Sequence, residues 1–270
     1  MTTILKTQLT FLLAGFLLLA YHSKIHQPYL CTMKVEIWSD VMCPFCYIGK
    51  RHFEKAIEKL PFKDEIEVEW KSFQLNPEYH NTNNEDLYAY LARAKGMSVA
   101  QAKQMTGQVE EMAANVGLSL NFETNVPANS FDAHRFLHFA KSKGLQDEAE
   151  EAMFNAYFTH SKDIAKHETL ISIAEELGLD TAETLKVLQG DDFAEAVRYD
   201  VYESQQIGVR GVPYFVLDRK YALSGAQPVP AFEQAIVQSF TEWQAEQPKT
   251  QLKSLNKNDD AVCDENGCEV

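Results

Sequence analysis

Apolar and polar positions change period several times along this chain, and the changes mark out its elements. Lys34-Val35-Glu36-Ile37-Trp38-Ser39 alternates in the manner of a short strand. Tyr47, Ile48, Phe53, Ile57 and Leu60 then recur at helical spacing until Pro61 stops the pattern. Ile66, Val68 and Trp70 alternate with Glu67, Glu69 and Lys71, which predicts a second strand. A strand, a helix and a strand joined by short connections make a βαβ unit with parallel pairing. Asn76-Pro77 reads as a loop, and a long run of helical periodicity follows it. Within that run Ser98 is placed to cap a helix to about Val116, with Gly117 as its stop. Asn129 or Ser130 caps the next, whose apolar face includes Phe131, Phe136, Leu137 and Ala140. Further helices are predicted over Asp147–His160, Glu168–Leu177, Thr181–Leu188 and Asp192–Gln206. Strand character returns at Tyr214–Leu217, paired as a hairpin with Tyr221–Leu223 across Asp218-Arg219-Lys220. A last helix, Val229 to Glu246, sets Phe232, Ile236, Phe240 and Trp243 on one face. The expected order is βαβ, a helical insertion, then ββα, with no internal repeat.

The two ends fall outside this pattern. Leu9 to Tyr21 is almost wholly apolar but too short for a comfortable membrane span. It has the length of a signal-peptide hydrophobic region, with Lys6 ahead of it, yet Ala20-Tyr21-His22 is bulky where a cleavage site needs small residues. Pro28-Tyr29-Leu30-Cys31 is a poor lipoprotein box because of Leu30, and Met33, just before the first strand, suits a start residue. Residues 1–32 are therefore read as a hydrophobic extension outside the fold: a signal, an anchor or an over-read start. Residues 33–75 and 208–247 form one domain, residues 76–207 a helical insertion domain, and residues 248–270 a flexible polar tail.

Composition narrows the partners. The formal charge of -14 argues against a phosphate-backbone partner, which needs a cationic face. Five cysteines in 270 residues are too few for a disulfide-stapled scaffold. Four of them form two close pairs, Cys43/Cys46 and Cys263/Cys268, and Cys31 stands alone outside the fold.

Cys43-Pro44-Phe45-Cys46 lies where the first strand gives way to the first helix. A thiol at a helix N-terminus meets unpaired N–H groups and the positive end of the dipole, which favour a thiolate. The thiolate is the form that attacks disulfides. Pro44 suits the first turn, since its missing N–H has no intrahelical partner to lose, and Cys46 is close enough to close a small ring. The second pair carries a turn signal, Asn266-Gly267, that brings Cys263 and Cys268 together. Asp264, Glu265 and Glu269 disfavour thiolates there, so this pair is a poor primary nucleophile. The blander reading is a tail disulfide without a part in catalysis. His134 and His138, spaced i, i+4, could share a metal, but no third ligand accompanies them; a helix packed beside the site is the simpler expectation. Asp40 is expected to cap the helix that Cys43 opens.

Residues 33–270 resemble the thioredoxin-fold oxidoreductases, through the order βαβ–ββα with Cys-x-x-Cys opening the first helix. The helical insertion between the halves narrows the resemblance to the DsbA-like class, an α/β thioredoxin fold. Ser39-Asp40-Val41-Met42 before the dithiol and Gly211-Val212-Pro213 look like that class's redox helix and cis-proline loop. Ser224-Gly225-Ala226-Gln227-Pro228 and the terminal Cys-x4-Cys look like the FrnE subgroup. The resemblance implies that Cys43 attacks, Cys46 resolves, and a cis Pro213 lies against the dithiol, shaped further by Pro44, Phe45 and Val212. It also implies that Cys263 and Cys268 serve as a second redox pair, relaying disulfides. No bound cofactor or metal is implied; protein or small-molecule thiols and disulfides are the partners, with glutathione as a redox partner. Phe45 departs from the strongly oxidising members, which carry histidine there. A phenyl ring offers the thiolate neither a hydrogen bond nor a positive charge, so a less oxidising potential is expected. Cytoplasm is the expected compartment, with export or anchoring through residues 1–32 as the alternative. Three rival functions stand beside this reading. They are a glutathione-dependent isomerase or transferase of the hydroxychromene-carboxylate or kappa type, a four-cysteine zinc site, and a chaperone-like peptide binder.

Overall fold

A computed structural model describes residues 31–80 and 85–247, together with the backbone of 263–264 and 267–268. Strand β1 (Met33–Ser39) pairs in parallel with β2 (Ile66–Ser72) and antiparallel with β3 (Tyr214–Leu217), which pairs antiparallel with β4 (Tyr221–Ser224). The sheet order is β2-β1-β3-β4. Helix α1 (Pro44–Glu58) crosses from β1 to β2, and α9 (Val229–Glu246) follows β4. Between β2 and β3 lie α2 (Leu87–Lys95), α3 (Val99–Ala114), α4 (Phe131–Ser142), α5 (Gln146–Phe154), α6 (His167–Glu176), α7 (Thr181–Gln189) and α8 (Ala194–Gln206). This is the expected α/β thioredoxin fold with a helical insertion.

Two cores result. Met33, Ile37, Phe53, Phe215, Phe232 and Ile236 pack between the sheet, α1 and α9, where each large apolar side chain contributes about 1.5–3 kcal/mol. The second core fills the insertion with Phe136, Phe139, Phe154 and Phe158, and it takes in Cys43 and Cys46. The dithiol is thus packed by the insertion rather than by the sheet.

Alternation in β1 predicts one solvated face, yet Glu36 is only 2 % exposed. The reason is α8, which covers that face: Trp38 Nε1 donates to the Asp200 carbonyl at 3.0 Å. Glu36 is compensated there by Arg219 and by Lys71 at 4.0 Å. Arg219 and Asp218 take φ of 53° and 48° in the hairpin turn, closed by the Lys220 N–H on the Leu217 carbonyl at 3.0 Å. Such a twist matches the strands, and ion pairs from Arg219 to Glu36 and Glu203 offset the cost of positive φ without glycine.

Helix α2 lies in the long run of helical periodicity after Asn76-Pro77. Its signals were present: Asp86 Oδ1 accepts from Ala89 N at 2.8 Å, and Gly96 closes the helix at φ 66°. The single helix expected over Asp147–His160 divides into α5 and a π-turn, Asn155–Thr159, closed by His160 N on the Asn155 carbonyl at 3.1 Å. Helix α8 starts at Ala194 rather than Asp192, because Phe193 turns to φ 63°.

At the head of α4, Asn129 Oδ1 accepts from Phe131 N at 2.9 Å while its Nδ2 donates to the Pro77 and Tyr79 carbonyls at 2.9 and 3.1 Å. Ser130, the N-cap position, makes no side-chain cap. Cys263 and Cys268 face each other in a two-residue antiparallel pairing, Cys263–Asp264 against Gly267–Cys268. Their side chains, the rest of the tail and residues 1–30 lie outside the described residues, and with them the readings made there. Among the described residues no helix is long and apolar enough to cross a membrane.

Candidate active site

The chain turns from β1 into α1 through Asp40-Val41-Met42, and Cys43 N donates to the Asp40 carbonyl at 2.8 Å. Asp40 does not cap α1 as the sequence suggested. Its Oδ1 accepts from Met42 N at 3.2 Å and its Oδ2 from Leu75 N at 2.7 Å. The carboxylate therefore ties the turn before the dithiol to the loop after β2. Cys43 itself occupies the N-cap, at φ −91° and ψ 110°, with no side-chain cap and with Pro44 following as the first helical residue. An anion at this point meets the unpaired N–H groups of the first turn.

Both thiols are free. Cys43 is 5 % exposed and Cys46 fully buried, whereas Phe45 projects between them, 38 % exposed. Burial first, then the neighbouring Cys43, pushes the Cys46 thiol well above its ordinary value. The Asp40 backbone and the Ser39 hydroxyl act in the opposite direction.

The loop before β3 completes the site. The Cys43 thiol donates to the Val212 carbonyl at 3.4 Å, and the Val212–Pro213 peptide bond is cis. Pro213 is fixed from behind by its carbonyl, which accepts from Gly225 N at 2.8 Å. Sequence reasoning missed the residue that lets this loop approach α1. A Cβ on Gly49 would lie 3.0 Å from Pro213 Cγ, 3.5 Å from Phe215 Cζ and 3.6 Å from the Ala226 Cα. A glycine inside a helix costs about 1 kcal/mol relative to alanine, and its presence within the helical run after the dithiol is the signal that could have found it.

Helix α1 is bolted to the insertion on its other side. Tyr47 stacks on Phe154 at 4.8 Å and its hydroxyl donates to Glu151 at 2.7 Å. Lys50, nearly buried, pairs with Glu54, with Asp147 at 3.2 Å and with Glu151 at 3.4 Å. His134 and His138 do not converge on a metal. His134 Nε2 lies 3.6 Å from Asp40 Oδ1, and His138 Nε2 contacts Asp200 Oδ2 at 3.0 Å and Ser72 Oγ at 3.1 Å. Among the described residues no group of three ligating side chains is placed to hold a metal ion. The arrangement brings Cys43, Pro44, Phe45, Cys46, Val212 and Pro213 together, with Cys43 at the edge of solvent and Cys46 beneath it. Such a pair can exchange a disulfide between an external sulfur and an internal one.

Known proteins share this architecture. A probable DsbA oxidoreductase of Streptomyces coelicolor is similar in structure, at a TM-score of 0.74 and 37% identity, over 88% of this chain and 99% of its own. The uncharacterized protein YwbO of Bacillus subtilis is 29% identical over 210 residues, 76% of this chain and 96% of its own. A 2-hydroxychromene-2-carboxylate isomerase shares the fold at a TM-score of 0.59 and 16% identity, over 80% of this chain and all of its own (100%). The model of the DSBA-like thioredoxin domain matches residues 34–237, most of the described chain, and with the dithiol, the loop and the insertion in place the protein belongs to that family.

Proposed function

We propose that this protein is a thiol–disulfide oxidoreductase that exchanges disulfides with protein or glutathione substrates through Cys43 and Cys46. The observation that carries the reading is the asymmetry of the two free thiols: one at the start of α1 against the Val212 carbonyl, the other sealed beneath it. The buried Cys46 is held as a thiol and cannot compete for an external disulfide. Cys43 attacks, its substrate partner leaves as a thiolate, and Cys46 then attacks Cys43 to release the second substrate sulfur. In a reducing cytoplasm, the compartment we favour, the dithiol is the resting form and substrate disulfides are reduced. Phe45, with half-buried Met42 and Val212 nearby, offers an apolar contact for the substrate chain. The Cys263/Cys268 pair of the FrnE type would accept the disulfide from Cys43–Cys46 in a relay. Thiols at both positions, where the isomerase type carries serine at the first, favour exchange over glutathione-dependent isomerisation.

The test is a trapping experiment with glutathione disulfide, read by intact mass. Cys46→Ser should accumulate one glutathione per chain at Cys43, whereas Cys43→Ser should exchange at least 100-fold more slowly than the wild type. Wild-type exchange by Cys43→Ser would refute the assignment. The Cys263→Ser/Cys268→Ser variant should keep the first turnover and lose the transfer of oxidation to the tail.

A further inference from the structure

The insertion holds a cavity that exchange at the thiols leaves unused. Its volume is about 970 Å³, and it lies between the loop at 123–126, the end of α5 with its π-turn, and α6. Ala152 and Ala156, four residues apart, line it with methyl groups only, which leaves the room. The rest of the wall is charged. Glu123, Asp163, Glu168 and Glu176 line it and form no ion pair among the described residues. Glu85 is held by Arg93 at 2.8 Å, and Asp86 is occupied in capping α2. Two lysines, Lys162 and Lys166, stand against those four carboxylates, so the wall is anionic. Asn125 lines the same cavity and is 2 % exposed. Its Oδ1 accepts from Val126 N at 2.8 Å, whereas its Nδ2 has no hydrogen-bond partner among the described residues. Buried polar groups are almost always paired, so this amide is placed to meet an acceptor bound in the cavity.

A second cavity continues the first toward the redox helix. It has a volume of about 480 Å³, shares Ala152, Asn155 and Glu176 with its neighbour, and reaches Lys50 and Arg51 on α1. Both of these cations are already paired, with Glu54, Asp147 and Glu151, and Glu148 adds an unpaired carboxylate. The two cavities make one anionic trough from the insertion to α1. Arg51 follows Cys43 by eight residues, about 12 Å along the helix axis. We propose that this trough is an exosite that holds a basic, extended stretch of the protein substrate beside the dithiol. The inference rests on the dithiol reading above and names the class of polypeptide that reading leaves open.

The chemistry of the wall selects this occupant. A metal ion needs ligands that converge, and among the described residues no three ligating side chains do so; the carboxylates are spread along the trough instead. A protonated polyamine would meet the carboxylates but brings no acceptor for Asn125 or the two lysines. An extended basic polypeptide supplies both. Its lysine or arginine side chains meet Glu123, Glu168 and Glu176, and a backbone carbonyl meets Asn125 Nδ2. The net charge of -14 steers such a partner toward the protein and repels an acidic one. Once the chain is held in the trough, the local concentration of its disulfide at Cys43 rises without any new contact to the thiols.

The experiment titrates the reduced full chain into two labelled, end-blocked, cysteine-free peptides, one alternating alanine with lysine and the other alanine with glutamate, and reads fluorescence anisotropy. The lysine peptide should bind about 10-fold more tightly or better, with an affinity that falls as salt rises. Glu123→Gln/Glu168→Gln/Glu176→Gln, altered at exposed positions only, should weaken that binding by about 10-fold. Asn125→Leu should weaken it too, while leaving the affinity for spermine as it was; if this variant fails to fold, the triple variant carries the test. An affinity unchanged in the triple variant, or spermine bound as tightly as a peptide of equal charge, overturns the exosite. The reduced chain is next mixed with each peptide carrying glutathione in disulfide linkage on an added cysteine. Half-saturation should come at a lower concentration of the lysine peptide, and the triple variant should lose that preference while reducing glutathione disulfide at the wild-type rate. A preference that survives in the triple variant sinks the exosite and leaves the dithiol reading standing. If the wild type exchanges nothing even with glutathione disulfide, the dithiol reading fails and takes the exosite with it.

Discussion

Arg135→Met should be among the most destabilising single changes away from the thiols. Arg135 is 4 % exposed and is the hub that closes the end of α7. Its Nη2 donates to the Val187 and Gly190 carbonyls, its Nε to Asp192 at 3.0 Å, and its Nη1 to Asp132 Oδ1 at 2.8 Å and more weakly to Leu188 at 3.5 Å. These carbonyls belong to the last turn of α7 and the link to α8, where helical partners run out. A hydrogen bond from a charged donor contributes about 1.5–3 kcal/mol, and a buried acceptor left bare costs a similar amount. Val187 is buried and bears that full penalty, whereas Gly190 and Asp192 lie at the surface and can turn to water. We therefore expect a loss of about 4 kcal/mol rather than the sum of all bonds. With a urea slope of about 3 kcal/mol/M for a chain of this size, the midpoint should fall by roughly 1.3 M. Arg135→Lys keeps the charge but reaches fewer carbonyls, so its loss should be about half. Urea unfolding followed by circular dichroism, with the slope checked for constancy, measures both. A loss below about 1 kcal/mol for the methionine variant would refute the argument that these carbonyls depend on Arg135.

Gly49→Ala sets two effects against each other. Helix propensity gains about 1 kcal/mol, while a methyl group 3.0 Å from Pro213 Cγ overpacks a buried contact at a cost of about 1–3 kcal/mol. Overpacking should win, lowering the melting temperature by about 2–4 °C and slowing exchange at Cys43; a higher melting temperature would show slack in the loop. Stability should also fall with pH because Glu150 is raised from 4.5 to about 7. A raised carboxyl stabilises the fold fully below its unfolded value, and that contribution disappears as pH climbs through about 7. The loss amounts to roughly 3 kcal/mol. Thermal melts from pH 4 to 8 should show this decline in the wild type and a markedly flatter profile in Glu150→Gln; equal slopes would refute it.

The local pattern of the chain determined a great deal. Period-2 alternation and helical spacing located β1, α1, β2, the hairpin and α9, because each of these elements buries one defined face. Cys43 and Cys46 were legible because thiol spacing and a strand-to-helix junction are local facts, whereas the proline loop at Val212 and Pro213 was read only through the family resemblance, since an isolated X-Pro does not declare its isomer. Where a turn depends on local chemistry, as at Asp86 and Gly96 around α2, the information lies in the sequence itself. Other features depend on what the fold brings together across separations of 35 to 162 residues. Glu36 looks like a solvated strand position until α8 covers it, and Asp40 looks like a cap until Leu75 arrives to claim its second oxygen. Arg135 finds its carbonyls only once α7 and α8 turn beside it. Ser39 and Glu150 are 111 positions apart and meet because the insertion packs against the end of β1. Hydrophobic periodicity reports which face an element buries, not which neighbour covers it. The thiols were therefore visible in the sequence, and the groups that hold their loop were decided by the tertiary structure.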